Sequence, residues 1–193
     1  GYDYMKWRYW YVTANATGSV SDKVPILDSG TNFTASNKDQ EQALISYFGR
    51  VNYNFDDRYI LSATVRADGS SKFADGNRWG FFPAGSAAWV ISEEPYWNVD
   101  RNVMNTFKFR ASYGQTGNNG IGLYDTYGAF ATGMYAGQST LLPSAMQNTG
   151  MKWETTTQLD LGLDLGFFND RLRVVMDYYN KKTDDMLFSI TLP

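Results

Sequence analysis

The chain has 193 residues, a formal net charge of -3, no cysteine, no histidine and 43% hydrophobic positions. That hydrophobic share excludes wholesale disorder, and the acidic balance offers nucleic acid no electrostatic footprint. Without Cys or His there is no disulfide framework, no usual zinc site and no Ser/His/Asp or Cys/His catalysis.

Residues 1–42 are predicted as an aromatic-rich strand near 7–14 followed by a polar, variable loop. From 43 to 55 the sequence alternates with period two. Ile45, Tyr47, Gly49, Val51, Tyr53 and Phe55 share one face, and Ser46, Phe48, Arg50, Asn52 and Asn54 the other. Such alternation is the mark of a strand with one apolar face. Asp56 and Asp57 then mark a tight turn. Residues 58–68 return as the second half of a hairpin, with Tyr59, Leu61, Ala63, Val65 and Ala67 opposite Ser62, Thr64, Arg66 and Asp68. Ile60 is the exception.

After a loop at 69–77, a strand over 78–91 places Trp79, Phe81, Pro83, Gly85, Ala87, Trp89 and Ile91 on one face. Its Pro83 weakens the assignment, because proline cannot donate to a ladder. Residues 92–105 form a polar connector in which Ser92 is the expected cap of a short helical turn. A strand at 106–113 sets Phe107, Phe109, Ala111 and Tyr113 against Lys108, Arg110 and Ser112. A loop of about 35 residues follows, long for a compact domain, with a strand extension expected near 123–135.

Residues 150–167 carry the longest alternation. Trp153, Thr155, Thr157, Leu159, Leu161, Leu163, Leu165 and Phe167 face one way, and Lys152, Glu154, Thr156, Gln158, Asp160, Gly162, Asp164 and Gly166 the other. Soluble strands run to about five or six residues, whereas a strand crossing a bilayer needs about nine to eleven. A second tight turn at 168–171 leads into Leu172, Val174, Met176 and Tyr178 on the apolar side, with Val175 breaking the polar row. The fold class is therefore all-β, an antiparallel up-and-down meander.

The apolar rows have an internal order. Tyr53, Phe55, Tyr59, Trp89, Phe107 and Phe167 gather at the turn end, while Trp79, Phe81, Tyr113, Trp153 and Tyr178 gather at the loop end. Val51, Leu61, Ala63, Val65, Gly85, Ala87, Leu161 and Leu163 lie between. Two aromatic girdles around an apolar band about 25 Å tall describe a membrane barrel, with short turns on the periplasmic side. The alternative is a soluble β-sandwich carbohydrate-binding module, whose apolar rows would form a buried core.

The chemical motifs are weak. Residues 114–122, GQTGNNGIG, lack the G-x-G-x-x-G order and a following helix, so a flexible loop is expected. Asp68, Gly69, Ser70 and Ser71 with Asp75 lack calcium-loop spacing and read as a solvated turn. Asp160 and Asp164 lie about 13 Å apart along one strand face, beyond glycosidase separations of roughly 5 to 10 Å, so they read as wall and no enzyme is expected. Arg50, Arg66 and Arg110 share the same polar face, placed to hold a plug, to line a path or to pair across strands with Asp68 or Asp160. Tyr124, Tyr127 and Tyr135 in the long loop are candidates for stacking on sugar rings or meeting a partner, or for packing the loop itself.

The segments SYFGRVNYNFDDRYILSATVRADGSSKF, NRWGFFPAGSAAWVISEE, FKFRASYGQTGN and MKWETTTQLDLGLDLGFFNDRLRVVMDYYNKKTDDML occur in this order. Together they resemble the barrel of SusC/RagA-type TonB-dependent outer-membrane transporters over 46–193, with 1–45 fitting as a preceding strand and loop. The resemblance implies a partial segment of a large transmembrane β-barrel, of the plugged, about 22-stranded kind. It implies a multi-pass protein of the outer membrane that imports glycan oligomers or peptides. The expected partners are a SusD-like surface lipoprotein, outer-membrane lipid and the TonB complex, reached through an N-terminal region missing here. The plug domain is expected to be absent from 1–193, and no cofactor is implied.

Overall fold

The protein is described by a computed structural model covering residues 1–18, 23, 26–27 and 30–188. The period-two rows become strands β1 (Tyr2–Thr17), β2 (Asn32–Phe55), β3 (Tyr59–Ser70), β4 (Trp79–Val90), β5 (Met104–Asn118), β6 (Ala129–Tyr135), β7 (Gln138–Ala145), β8 (Glu154–Phe167) and β9 (Leu172–Asp184). Seven of them form one antiparallel sheet in the order β1-β2-β3-β4-β5-β8-β9, and β6 pairs with β7 in a separate hairpin. The sheet is not closed, with β1 and β9 at its edges. This is the antiparallel meander that the alternation implies.

Register explains the faces. Val51, Ala63, Gly85 and Tyr113 lie in one cross-strand row, as do Arg110 with Gly162 and Ser112 with Asp160 in the opposite-facing one. Among the described residues no second sheet covers the apolar row, and Val51 is 70%, Phe81 62% and Trp79 55% exposed. A sandwich core would bury these side chains.

The expected aromatic belts are present in part, since Tyr113 and Tyr178, expected at the loop end, pair in register with Gly85 and Leu161 of the middle band. At the turn end, Tyr53 and Phe55 lie 6.5 Å apart, Phe55 and Tyr59 6.4 Å, and Tyr59 and Trp89 6.3 Å. At the loop end, Tyr2 and Tyr47 lie 5.3 Å apart and Tyr47 and Trp79 6.0 Å. Asp56 and Asp57 both take positive φ, 60° and 54°, in a turn closed by the Arg58 N–H donating to the Phe55 carbonyl at 3.1 Å, within the three residues between Phe55 and Tyr59. Pro83 keeps the β3–β4 register and lies one residue beyond the last β4–β5 pair, Ala84 with Gly114.

Five expectations are corrected. The polar stretch 32–42 is strand, paired with β1 as far as Thr17 with Asn32; its alternation is weak because neither face of this ribbon is buried. β3 runs on to Ser70, so Asp68 and Ser70 are not a solvated turn but are 7% and 2% exposed under the loops. β5 takes in Gly114 and Gly117, leaving only 119–122 of the glycine-rich run outside strands. Ser92 caps nothing: β4 reaches Val90, so the 3₁₀ turn Ile91–Glu93 starts early and Ser92 falls inside it. The long loop holds the β6–β7 hairpin, so the expected extension at 123–135 narrows to β6 and belongs to a sheet of its own.

The one buried apolar cluster among the described residues lies at the loop end. Phe73, Phe82, Ile121 and Trp153 form it, with Leu44, Met151 and Leu187 packed against it. Trp153 was expected in the outer girdle. It instead precedes β8, is 7% exposed, and lies 5.4 Å from both Phe73, tilted, and Phe82, edge-on, while its indole N–H donates to the Arg78 carbonyl at 2.9 Å. An indole needs a partner when buried, and the loop backbone supplies one.

Candidate functional site

The polar row of the sheet brings most of the expected site residues together. Arg110 on β5 forms a two-pronged pair with Asp164 on β8, at 2.9 and 2.8 Å, and reaches on to Asp177 of β9 at 3.0 Å. Gly162 makes that reach possible, because a Cβ there would lie 2.7 Å from the guanidinium carbon and 2.8 Å from the Asp177 carboxylate. Arg66 pairs with Asp68 at 2.7 Å and donates to the Ser46 hydroxyl at 3.2 Å. Two of the three arginines are thus neutralised by the wall itself. The Arg66–Asp68 pair lies within β3 and Arg110 takes Asp164 in place of Asp160, so among the described residues neither expected cross-strand pairing forms.

Arg50 and Asp160 differ. Among the described residues Arg50 donates only to the Thr64 hydroxyl, at 3.2 Å, and Asp160 accepts only from neutral groups, Ser112 at 3.1 Å and Gln158 at 2.7 Å. Both line a shallow furrow of about 320 Å³ floored by Ser62, Ser86 and Ser112. Asp160 and Arg110 also border a smaller depression of about 170 Å³ beside Ile60 and Ala88. Opposite charges with neutral partners can bind an incoming dipolar surface, although exposure to water limits what each contributes.

The tyrosines are not part of this wall. Tyr124 and Tyr127 lie in the turn after β5, 52% and 41% exposed, and Tyr135 stands at the β6–β7 tip, 77% exposed. Ala136 and Gly137 close that tip with φ of 48° and 78°.

One polar node escaped the sequence reading. Glu94, in the connector after the 3₁₀ turn, is 7% exposed and accepts from the Tyr59 hydroxyl, the Trp89 indole at 2.8 Å and Arg58 at 3.2 Å. The Tyr59 hydrogen bond, then that of Trp89, hold its carboxyl below the ordinary glutamate value, with Arg58 adding to them against the effect of burial. A carboxylate following two girdle aromatics whose N–H and O–H need partners was the available signal. Among the described residues no group of acidic side chains is arranged to hold a metal ion, and no helix is long and apolar enough to cross a membrane.

An antiparallel sheet with a bare apolar face belted by aromatics at both ends, and an ion-paired polar face behind it, is a piece of the wall of a transmembrane β-barrel. The family model described as "TonB dependent receptor-like, beta-barrel" matches residues 1–193, and the chain belongs to that family. It is 40% identical over its whole length to TonB-dependent receptor P3 of Formosa agariphila, covering 20% of that protein. It is 42% identical over 78% of its length to TonB-dependent receptor SusC of Bacteroides thetaiotaomicron, covering 16% of it. Among solved structures, that of the RagAB peptide transporter superposes with a TM-score of 0.87 at 29% identity, over all of this chain and 22% of the other. These likenesses make the chain a segment of the SusC/RagA type. It spans about a fifth of the length of the curated relatives it matches.

Proposed function

We propose that this chain is a wall segment of an outer-membrane transporter that imports glycan oligomers or peptides with energy delivered through TonB. The observation that carries the reading is the sorting of the two faces: bare aliphatic side chains between aromatic belts on one, ion pairs and hydroxyls on the other. The apolar face meets lipid and the polar face looks into the lumen. In the lumen Arg50 and Asp160 are the wall groups offered to a plug or a passing substrate, since Arg66 and Arg110 are held by Asp68 and Asp164. Tyr124, Tyr127 and Tyr135 lie at the loop end, where they meet substrate or a surface lipoprotein of the SusD kind. The TonB contact belongs to parts of the protein outside this segment.

The test uses the full-length protein in its own cells. Outer-membrane fractionation should recover it with the membrane, and uptake of labelled oligosaccharide or peptide should stop when TonB is deleted. Recovery in the soluble fraction, or uptake indifferent to TonB, would overturn the reading.

A further inference from the structure

Beyond the wall, β1 and β2 continue as a two-stranded ribbon. β3 stops pairing with β2 at Leu44 with Ser70, yet β1 and β2 stay paired from residues 6 and 43 to residues 17 and 32. At about 3.3 Å per residue this ribbon projects roughly 35–40 Å past its neighbours. On the row continuing the apolar face, charge begins at once: Lys6 pairs with Glu41 at 2.9 Å and Arg8 with Asp39 at 2.5 Å. Four charges on that row place it outside hydrocarbon, in water.

The opposite row continues the polar wall face and is different in kind. Trp7, Tyr9 and Tyr11 recur at every second position, cross-strand from Gln42, Gln40 and Lys38. Tyr9 and Tyr11 are 49% and 46% exposed although nothing in the ribbon's own packing requires an aromatic there. The Lys38 ammonium sits 6.0 Å from the Tyr11 ring centre, over one face of that ring, and is the charge at the outer end of the row. The backbone positions of Trp7, Tyr9 and Tyr11 repeat about every 6.6 Å along the strand, with amides beside them to give and take hydrogen bonds.

From this row we infer a docking platform for a neutral oligosaccharide at the entrance to the barrel, an inference that rests on the importer reading above. Ring faces stack on the apolar faces of sugars, Gln40 and Gln42 meet hydroxyls, and the stretch from Trp7 and Gln42 to Tyr9 and Gln40 carries no charged side chain, which favours a neutral ligand. Because the row continues the lumen-side row, a glycan held there lies over the mouth and not against lipid. Trp10, on the charged side, takes no part.

The test uses the full-length protein in detergent on an array of neutral malto-, xylo-, fructo- and manno-oligosaccharides, beside an array of short peptides. The expected result is binding of one sugar series, weakened about tenfold or more by Tyr9→Ala with Tyr11→Ala, recovered by Tyr9→Phe with Tyr11→Phe, and unchanged by Trp10→Ala. Absence of sugar binding, selection of peptides, or equal binding by the double alanine variant would overturn the platform. So would loss of a co-purifying lipoprotein with sugar binding intact, which would make the row a protein interface. TonB-dependent uptake is measured in parallel: normal uptake with any of these outcomes overturns the platform alone, whereas absent uptake overturns the importer reading separately from the array.

Discussion

Arg110 and Gly162 face each other directly across the β5–β8 ladder, and the guanidinium passes over the glycine to bind carboxylates on two further positions, Asp164 and Asp177. A β-sheet side chain normally meets its nearest neighbours, so joining three strands with one side chain needs an empty position in the middle. Gly162→Ala puts a methyl where the guanidinium lies, and because that end of Arg110 is flexible the expected adjustment is loss of the Asp177 contact. The cost is about 0.5–1 kcal/mol, in keeping with partly exposed pairs. The check is a double-mutant cycle on the full-length barrel, read as the heating midpoint of the folded band. Asp177→Asn should lower it in the parent and change nothing further in Gly162→Ala.

Trp153 provides a sharper test of what the loop-end residues do. Its ring touches Phe73 and Phe82, and its N–H caps the Arg78 carbonyl. Trp153→Ala therefore removes buried area and one of the two hydrogen bonds to the Arg78 carbonyl, which keeps the Ser70 N–H at 3.0 Å, a loss of about 3–5 kcal/mol concentrated in the loops. Hydrogen exchange should speed up at residues 71–78 and 119–122, while Trp79→Ala, on the bare face, leaves them protected. Equal protection in both variants would place Trp153 back in the outer girdle.

The strands were legible wherever one face is apolar and the other polar, since that contrast is what period two records. It failed at 32–42, where a ribbon wet on both faces has no contrast to display, and at Trp153, where the alternation is continued by a residue already outside β8. Phe82 was readable only indirectly. It lies on the polar row because Gly80 and Gly117 leave space for its ring, and a large apolar residue on a polar row between glycines is the trace of such packing. Of the candidate site, composition and face correctly gathered the arginines with the aspartates. Arg66 takes Asp68 from its own strand, and Arg110, opposite Gly162 and two positions from both Asp160 and Asp164, meets Asp164 while Asp160 accepts from Ser112 directly across from it.

Glu94 makes a pH dependence at the turn end. Its carboxyl, lowered chiefly by the Tyr59 and Trp89 donors, binds a proton less readily folded than unfolded. The stabilisation is therefore fully present above the unfolded glutamate value, about 4.3, and is lost as pH falls through the lower folded value. The heating midpoint of the parent should drop in that acid range. Glu94→Gln should start lower at neutral pH, because Arg58 keeps only its more exposed pair with Asp56, and should show a flatter acid limb. An identical acid limb in both proteins would assign the effect elsewhere.

The last prediction separates the two faces at the level of single side chains. Leu161 lies on the bare row between the belts, and Val175, an apolar residue on β9, lies on the polar row across from Asp164. By hydropathy alone the two are alike, and a soluble module that buried both would reject arginine at either. In a barrel wall, Leu161→Arg places a cation in hydrocarbon at a cost of about 2–4 kcal/mol near the midplane, whereas Val175→Arg points into water beside a carboxylate. Folded protein recovered from the outer membrane should fall sharply for Leu161→Arg and remain near the parent level for Val175→Arg. Equal recovery of the two variants would contradict the assignment of faces, because only lipid on one side and water on the other makes a one-row shift decide the outcome.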